Sequence, residues 1–315
     1  MRNGASRPRV AQRLEQGTHN LRVVGSNPTP RNVWLAEWWR WQARGYYGIN
    51  RKTFPATEHE RNGRQYDQQE ILMADNNPSV ASPEELEKIG AVAAGFIADG
   101  QAVGLGSGRA AHAFVRMLAE RMKREKLKIV GVPTSESTAR LARECGIELV
   151  SLQDQASLDI TVDGADEVDP ALHLLKGGGG DLLREKVVAS VSRRMVVVVG
   201  HEKIVPRLGT YFPVFLEIVA FAMPTVIRAV TALGAVCTPR LRPDGTLFLT
   251  DNHNPLLHAR LPAESRWFDR PQELDRQLRT IPGIIETGLF LNLASDVLVA
   301  QAGGTVRHLT RGGPA

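Results

Sequence analysis

The chain has 315 residues, enough for two domains and a sizeable core. Its two cysteines, Cys145 and Cys237, lie far apart and show no metal-ligand spacing. That excludes a disulfide framework and points to a reducing compartment, the cytoplasm. No apolar run approaches the roughly 20 residues of a membrane span, and no charged-then-apolar signal peptide stands at the start, so no membrane partner is expected.

The net charge of +5 is unevenly placed. Residues 1–72 hold 12 Lys/Arg against 6 Asp/Glu, four of the five tryptophans and three of the four tyrosines, which leaves the rest of the chain close to neutral. This first stretch shows no sustained period of 2 or 3.6. Its segment Val10–Pro30 reads like conceptual translation across a transfer-RNA gene, and Met73 then opens a polar segment of the kind that starts ordinary proteins. The expectation is a spurious or disordered extension over 1–72, from a misplaced start codon. The functional rival is a basic, aromatic arm for nucleic acid; no nucleic-acid partner is expected.

From Ser82 the pattern is regular. Ser82-Pro83-Glu84-Glu85 predicts a capped helix start, with the helix running to near Gly100. A short strand over Ala102–Leu105 leads through Gly106-Ser107-Gly108-Arg109 into a helix from Ala110 to about Lys126. A strand over 128–132, the hydroxyl-rich loop Pro133–Thr138, a helix ending at Cys145-Gly146 and a strand at 148–150 follow. Leu158–Val162 alternates as a buried strand ending at Asp163, Leu182–Val191 has helical spacing, and Arg194–Val199 reads as a fully buried strand. Strands alternating with helices imply a Rossmann-like parallel sheet with helices on both faces.

After Leu208 the pattern changes. A strand over 212–219, a helix over 223–233, short strands around 235–238 and 246–250, a helix over 273–279 and a strand near Ile284 predict a smaller α+β, ferredoxin-like domain. The runs 288–292 and 296–300 are expected to return to the large sheet. The fold class is therefore α/β, with a large catalytic domain over 73–208 and 285–315 and a small domain over 209–284.

The chemistry concentrates in Asp163-Gly-Ala-Asp-Glu167, Lys176-Gly-Gly-Gly-Gly180 and Arg184-Glu-Lys186. Charged side chains at the carboxyl end of a strand, then a glycine loop and a helix start, mark the crevice where open α/β sheets bind ligands. Four consecutive glycines give up much backbone freedom, which a chain tolerates where its backbone approaches a ligand. Asp181 and Glu185 lie one helical turn apart on one face. Asp181 suits a first helical turn, and Glu185 can project back toward the loop. Clustered acids invite a divalent metal, but Lys176 competes for the same carboxylates.

Gly104-Leu-Gly-Ser-Gly-Arg-Ala-Ala111, between a strand and a helix, suits an anion. A dinucleotide site would want an acid at the end of the next strand. That strand ends in Pro133-Thr134-Ser135, which disfavours a nicotinamide cofactor. Thr134, Ser135, Ser137 and Thr138 are either helix caps or the wall of a phosphate or hydroxyl pocket.

These motifs, with Lys203, Ile281-Pro-Gly283 and Gly288-Leu-Phe290, resemble the A-type ribose-5-phosphate isomerases over about residues 82–305. The resemblance implies interconversion of ribose 5-phosphate and ribulose 5-phosphate through an enediolate, in the non-oxidative pentose phosphate pathway, with no metal and no organic cofactor. It implies that Glu185 is the proton shuttle and that Asp163 assists ring opening. Lys176 and the N–H groups of Gly177, Gly178 and Gly179 would face the developing oxyanion. Asp166, with Gly164 and Ala165, would hold sugar hydroxyls, and Lys203 would contact substrate. Ser107, Gly108, Arg109 and Ala110 align with the phosphate loop, and Lys88 is a weaker phosphate candidate. That loop commonly reads Thr-Gly-Ser-Thr in the family, so here two hydroxyls are lost and a guanidinium is gained. A homodimer or homotetramer is implied as well. The alternative is a sugar-phosphate-sensing regulatory domain of the same fold, which has no need of the Asp163, Lys176 and Glu185 set.

Overall fold

A computed structural model describes residues 80–301, 303–311 and 313–314; the expected extension over 1–72 lies outside the described residues. The capping box holds as read. The Ser82 hydroxyl accepts the Glu85 N–H, and Glu85 accepts the Ser82 N–H, at the start of α1 (Pro83–Ala94). The helix ends before the expected Gly100. Gly95 and Phe96 close it as a turn, and the Gly100 N–H is taken by the Lys128 carbonyl at 2.7 Å.

The following elements are β1 (Ala102–Leu105), α2 (Arg109–Glu125), β2 (Val130–Pro133), α3 (Glu136–Glu144), β3 (Glu148–Leu149) and β4 (Ile160–Asp163). The hairpin β5 (Glu167–Val168) and β6 (Leu174–Leu175) precedes α4 (Leu182–Ser190) and β7 (Met195–Gly200). Near the end of the chain come β13 (Asp296–Ala300), β14 (Val306–Thr310) and β15 (Gly313–Pro314). The large sheet has the order β15-β14-β13-β7-β4-β1-β2-β3. The strands from β13 to β3 run parallel. The hairpin β14–β15 extends the sheet antiparallel, an addition that the alternating pattern did not announce.

Why both faces are covered is plain in β7. Val196 and Val198 enter a core with Leu86, Ile89 and Phe114 of α1 and α2. Met195, Val197 and Val199 enter the opposite core with Leu182 and Ala189 of α4. All five are buried, and successive side chains of a strand point to opposite faces.

The second sheet is built from β8 (Val214–Ile218), α5 (Met223–Ala232), β9 (Val236–Pro239), β10 (Leu256–Arg260), α6 (Pro271–Arg279) and β11 (Ile284–Thr287). Its order, β11-β8-β10-β9 with antiparallel pairing throughout, is ferredoxin-like. One expected strand is misplaced. Residues 246–250 make only isolated bridges at Leu247 and Leu249, and the true strand is 256–260. The Thr250 hydroxyl accepts the N–H groups of Asn252 and Asn254, and His253 is left-handed at φ 62°, so a polar turn intervenes. The run 288–292 also differs from expectation. β12 (Leu289–Phe290) pairs with β6 in a three-stranded sheet, not in the large one. The crossover is shared: the Lys176 N–H donates to the Gly288 carbonyl, and the Gly288 N–H donates to the Phe215 carbonyl. Among the described residues, no helix is long and apolar enough to cross a membrane.

Candidate active site

The site lies at the carboxyl ends of β1 and β4. Asp163, the last residue of β4, is 1% exposed. Its Oδ1 accepts the N–H groups of Ser107 (3.0 Å) and Gly164 (2.7 Å). This close approach is what makes residue 106 a glycine, since a Cβ there would run into the Asp163 carboxyl.

Lys176 leaves the end of β6, placed by the β5–β6 hairpin, and is buried. Its Nζ lies 3.2 Å from Asp163 Oδ2 and 3.1 Å from Glu185 Oε1, and donates to the Gly164 carbonyl at 2.5 Å. The Phe290 ring lies 5.6 Å away. Gly177 follows at φ 125°, and a Cβ there would meet Phe215 at 2.7 Å, so the loop turns where only glycine fits. Glu185 reaches the lysine from α4 and is itself buried.

One ammonium thus faces two buried carboxylates. Burial raises the Asp163 pKa, opposed by Lys176 and by the Gly164 and Ser107 N–H groups. Burial, with Asp163 adding to it, drives Glu185 well above the carboxylate range against the pull of Lys176. Burial alone would lower the Lys176 pKa, but the fields of Asp163 and Glu185 outweigh it and raise the value. The two acids titrate as a pair. Asp181, before α4, is pushed up to about 6 by burial and by Asp251 and Asp163.

The remaining expected residues divide. Asp166 Oδ2 accepts the Gly178 N–H at 2.8 Å, so that amide holds the carboxylate. This leaves Gly178 committed away from the oxyanion role expected of its N–H. Ala165 packs against the core. Ser107 is buried, with its hydroxyl 2.8 Å from Thr134 Oγ1 and 3.3 Å from Thr138 Oγ1. The hydroxyl-rich loop therefore supports the first glycine loop from behind. Gly108 (φ 85°) precedes α2 with no side-chain cap, and Arg109 is exposed. The first-turn N–H groups from Gly108 to Ala110 have no helical acceptor, as at any helix start.

Lys203 lies 5.0 Å over the Phe212 ring, which packs 6.4 Å from Phe215, the residue under Gly177. It stands beside the glycine loop's support. Lys88 is not brought to the phosphate loop, because its ammonium lies against Gly304 in the turn after β13. Three strand spacings separate β13 from β1, about 14 Å. Among the described residues, no group of three or more His, Cys, Asp or Glu could hold a metal ion.

Several contributors escaped the sequence. Glu167, the last acid of the first motif, is fully buried and accepts N–H groups from Gly209, Tyr211 and Phe212. Arg240, just after β9, donates to the Gly178 carbonyl at 2.9 Å and lies 3.9 Å over the Phe248 ring. Lys186 turns away from Glu185. It donates to Glu286 (2.8 Å) and to the carbonyls of Thr287 (2.6 Å) and Leu289 (2.8 Å). An open cavity of about 270 Å³ adjoins the loop, lined by Gly179, Asp181, Arg140 and the segment from Phe248 to Asp251.

The family model described as ribose 5-phosphate isomerase A (phosphoriboisomerase A) matches residues 130–304. The ribose-5-phosphate isomerase A of Chloroflexus aurantiacus is 46% identical over 221 residues, 70% of this chain and 90% of that protein. The chain belongs to this family. A ribose 5-phosphate isomerase A structure from Methanocaldococcus jannaschii matches at TM-score 0.67 and 35% identity, covering 73% of this chain and 100% of that one. A D-ribose-5-phosphate isomerase in complex with phospho-erythronic acid matches at TM-score 0.68 and 37% identity, covering 72% and 99%. The fold class is thus that of α/β isomerases, and the sensing alternative finds no support among these relatives.

Proposed function

We propose that this chain interconverts ribose 5-phosphate and ribulose 5-phosphate through an enediolate, with Glu185 as the proton shuttle. The observation that carries this reading is the buried contact of Glu185 with Lys176 at 3.1 Å, beside Asp163. Isomerisation moves one proton from C2 to C1 and another between the two oxygens. A carboxylate whose pKa is raised above its ordinary range is a stronger base, able to take a carbon-bound proton and give it back. In the open-chain aldose, Glu185 takes the C2 proton and negative charge develops on O1. Lys176 stabilises that charge, and Asp163 passes the hydroxyl proton between oxygens. Glu185 then returns its proton to C1, and no atoms are gained or lost. Phospho-erythronic acid, bound to the relative, fits this scheme. Its carboxylate end is planar and anionic, as the reacting end of an enediolate is.

The same reading gives Asp166 the sugar hydroxyls, Gly177 and Gly179 the oxyanion-facing amides, and the α2 start with Ser107 to Ala110 the phosphate. Lys203 contacts the substrate beside Phe212. A cytoplasmic location belongs to it too, in keeping with free thiols at Cys145 and Cys237, and a homodimer or homotetramer is carried over from the resemblance alone. The test is a coupled assay for ribulose 5-phosphate formed from ribose 5-phosphate, run with a chelator. Activity is expected to persist, and E185Q is expected to lose about a thousandfold in kcat. Near-normal turnover by E185Q removes the assigned shuttle, and loss of wild-type activity on chelation removes metal independence.

A further inference from the structure

Arg184 stands next to the proposed shuttle and points away from it. From the base-bearing helix α4 its Nε donates to Asn252 Oδ1 at 3.0 Å, its Nη1 to Glu136 Oε1 at 2.9 Å, and its Nη2 to the Asp251 carbonyl at 3.3 Å. These partners come from the start of α3 and from the turn between β9 and β10.

That turn hangs on one buried carboxylate. Glu217 of β8 is fully buried, and its Oε1 accepts from Thr250 Oγ1 (3.0 Å), Asn252 Nδ2 (3.1 Å) and Asn254 Nδ2 (2.9 Å). Its Oε2 has no hydrogen-bond partner. Three donors converging on one oxygen fix the turn firmly, since releasing any of them strips a partner from a buried carboxyl group. Asn252 has a single possible orientation here: its N–H₂ must face the carboxylate and its oxygen the guanidinium. The next residue back, Asp251, accepts the Glu136 N–H at 2.7 Å and so caps α3 from across the crevice.

The start of α4 needs this support. Asp181 precedes the helix without making a side-chain cap bond, and the helix has only nine residues. The cavity of about 270 Å³ lies against Asp181 and Gly179, on the side walled by Phe248 to Asp251. The helix start thus borders open space, and Arg184 bonds two residues of its wall, Glu136 and Asp251.

We propose that Arg184 and Asn252 form a latch that joins the small sheet, through Glu217, to the helix carrying Glu185, and that the latch sets the position of Glu185 over the substrate. Arg184 and Asn252 are positioning residues, since neither touches the Lys176 cluster. The proposal rests on Glu185 being the proton shuttle. A misplacement of about 1 Å at a reacting group costs up to a hundredfold in rate, so a partial release of the helix has a measurable effect.

The test is a double-mutant cycle of R184M, N252A and their combination, with E185Q alongside, measured for kcat, KM and Tm. R184M and N252A are each expected to lower kcat about tenfold with KM within about twofold; Tm moves only slightly in R184M because Arg184 is partly exposed, whereas N252A, which also takes a donor from buried Glu217, lowers it. The double variant is expected to be no worse than the poorer single one, because one contact is lost in all three. Wild-type kcat in R184M overturns the latch. So do losses that multiply in the double variant, losses confined to KM, or a loss in R184M that tracks a falling Tm. If E185Q is inactive while R184M is normal, only the latch fails. If E185Q is active, the shuttle assignment fails whatever the cycle shows.

Discussion

Lys176 and Lys186 are ten positions apart, both buried, and both press an ammonium on the Phe290 ring, at 5.6 and 4.7 Å. Their surroundings differ in kind. Lys176 serves two buried carboxylates and a single carbonyl. Lys186 serves one carboxylate and two carbonyls at the crossover, and Glu286 has a second cation in Arg279 at 2.5 Å. Around Lys176 two buried acids meet one ammonium, and burial pushes Asp163 and Glu185 upward against its pull. Around Lys186, burial lowers the pKa against the pull of Glu286, and the polar partners are all satisfied. Placing a buried lysine among surplus acids makes a reactive cluster. Placing it among carbonyls makes an anchor. Burial alone does not distinguish the two.

Replacing each lysine tests that contrast most sharply. K176M is expected to cost about a hundredfold or more in kcat, the scale of one lost oxyanion donor, and to push the Asp163 and Glu185 pKa values further up, because the ammonium that holds them down is gone. K186M is expected to act on the fold instead. Breaking a buried pair costs about 3–5 kcal/mol, at the low end here because Arg279 remains on Glu286. Thermal unfolding and kcat per folded molecule check both outcomes; a K186M protein with native Tm and lost turnover reverses the contrast.

A subtler change removes one acid. Asp163 is among the groups that raise Glu185, so D163N is expected to shift the acid limb of the kcat profile to lower pH. An unmoved limb denies that the two carboxyl groups titrate together. The smallest effect is expected at Asp181. Its pKa is raised to about 6 from an ordinary 3.8, so the folded form holds its proton more tightly than the unfolded chain. Stability is therefore lost as pH rises from about 4 to about 6. D181N should match the wild-type Tm near pH 4 and exceed it above pH 6. A Tm difference independent of pH contradicts the shift.

Much of this was legible in the sequence, for physical reasons. The glycine runs and the acids at the end of β4 stood out because short-range spacing places them, and the capping box at Ser82 is local in the same way. What escaped depends on contacts across long separations. Arg240 reaches Gly178 over 62 positions and Lys186 reaches Glu286 over 100, distances at which no period survives. The motif acid Glu167 looked like part of the chemistry and instead ties down residues 209–212. Strand β10 was missed because the apolar run before it, 246–250, is the better strand by composition. The polar turn that separates them earns its place only through Glu217.

The inner wall of the crevice carries Asp163, Asp166, Asp181 and Glu185 against Lys176 and Arg240. Such a wall repels a doubly charged phosphate and is indifferent to an uncharged carbonyl. The start of α2, with its uncapped amides and exposed Arg109, has the opposite polarity. On the proposed reading, in which the start of α2 takes the phosphate, this field would turn a pentose phosphate before it docks, tail outward and carbonyl inward.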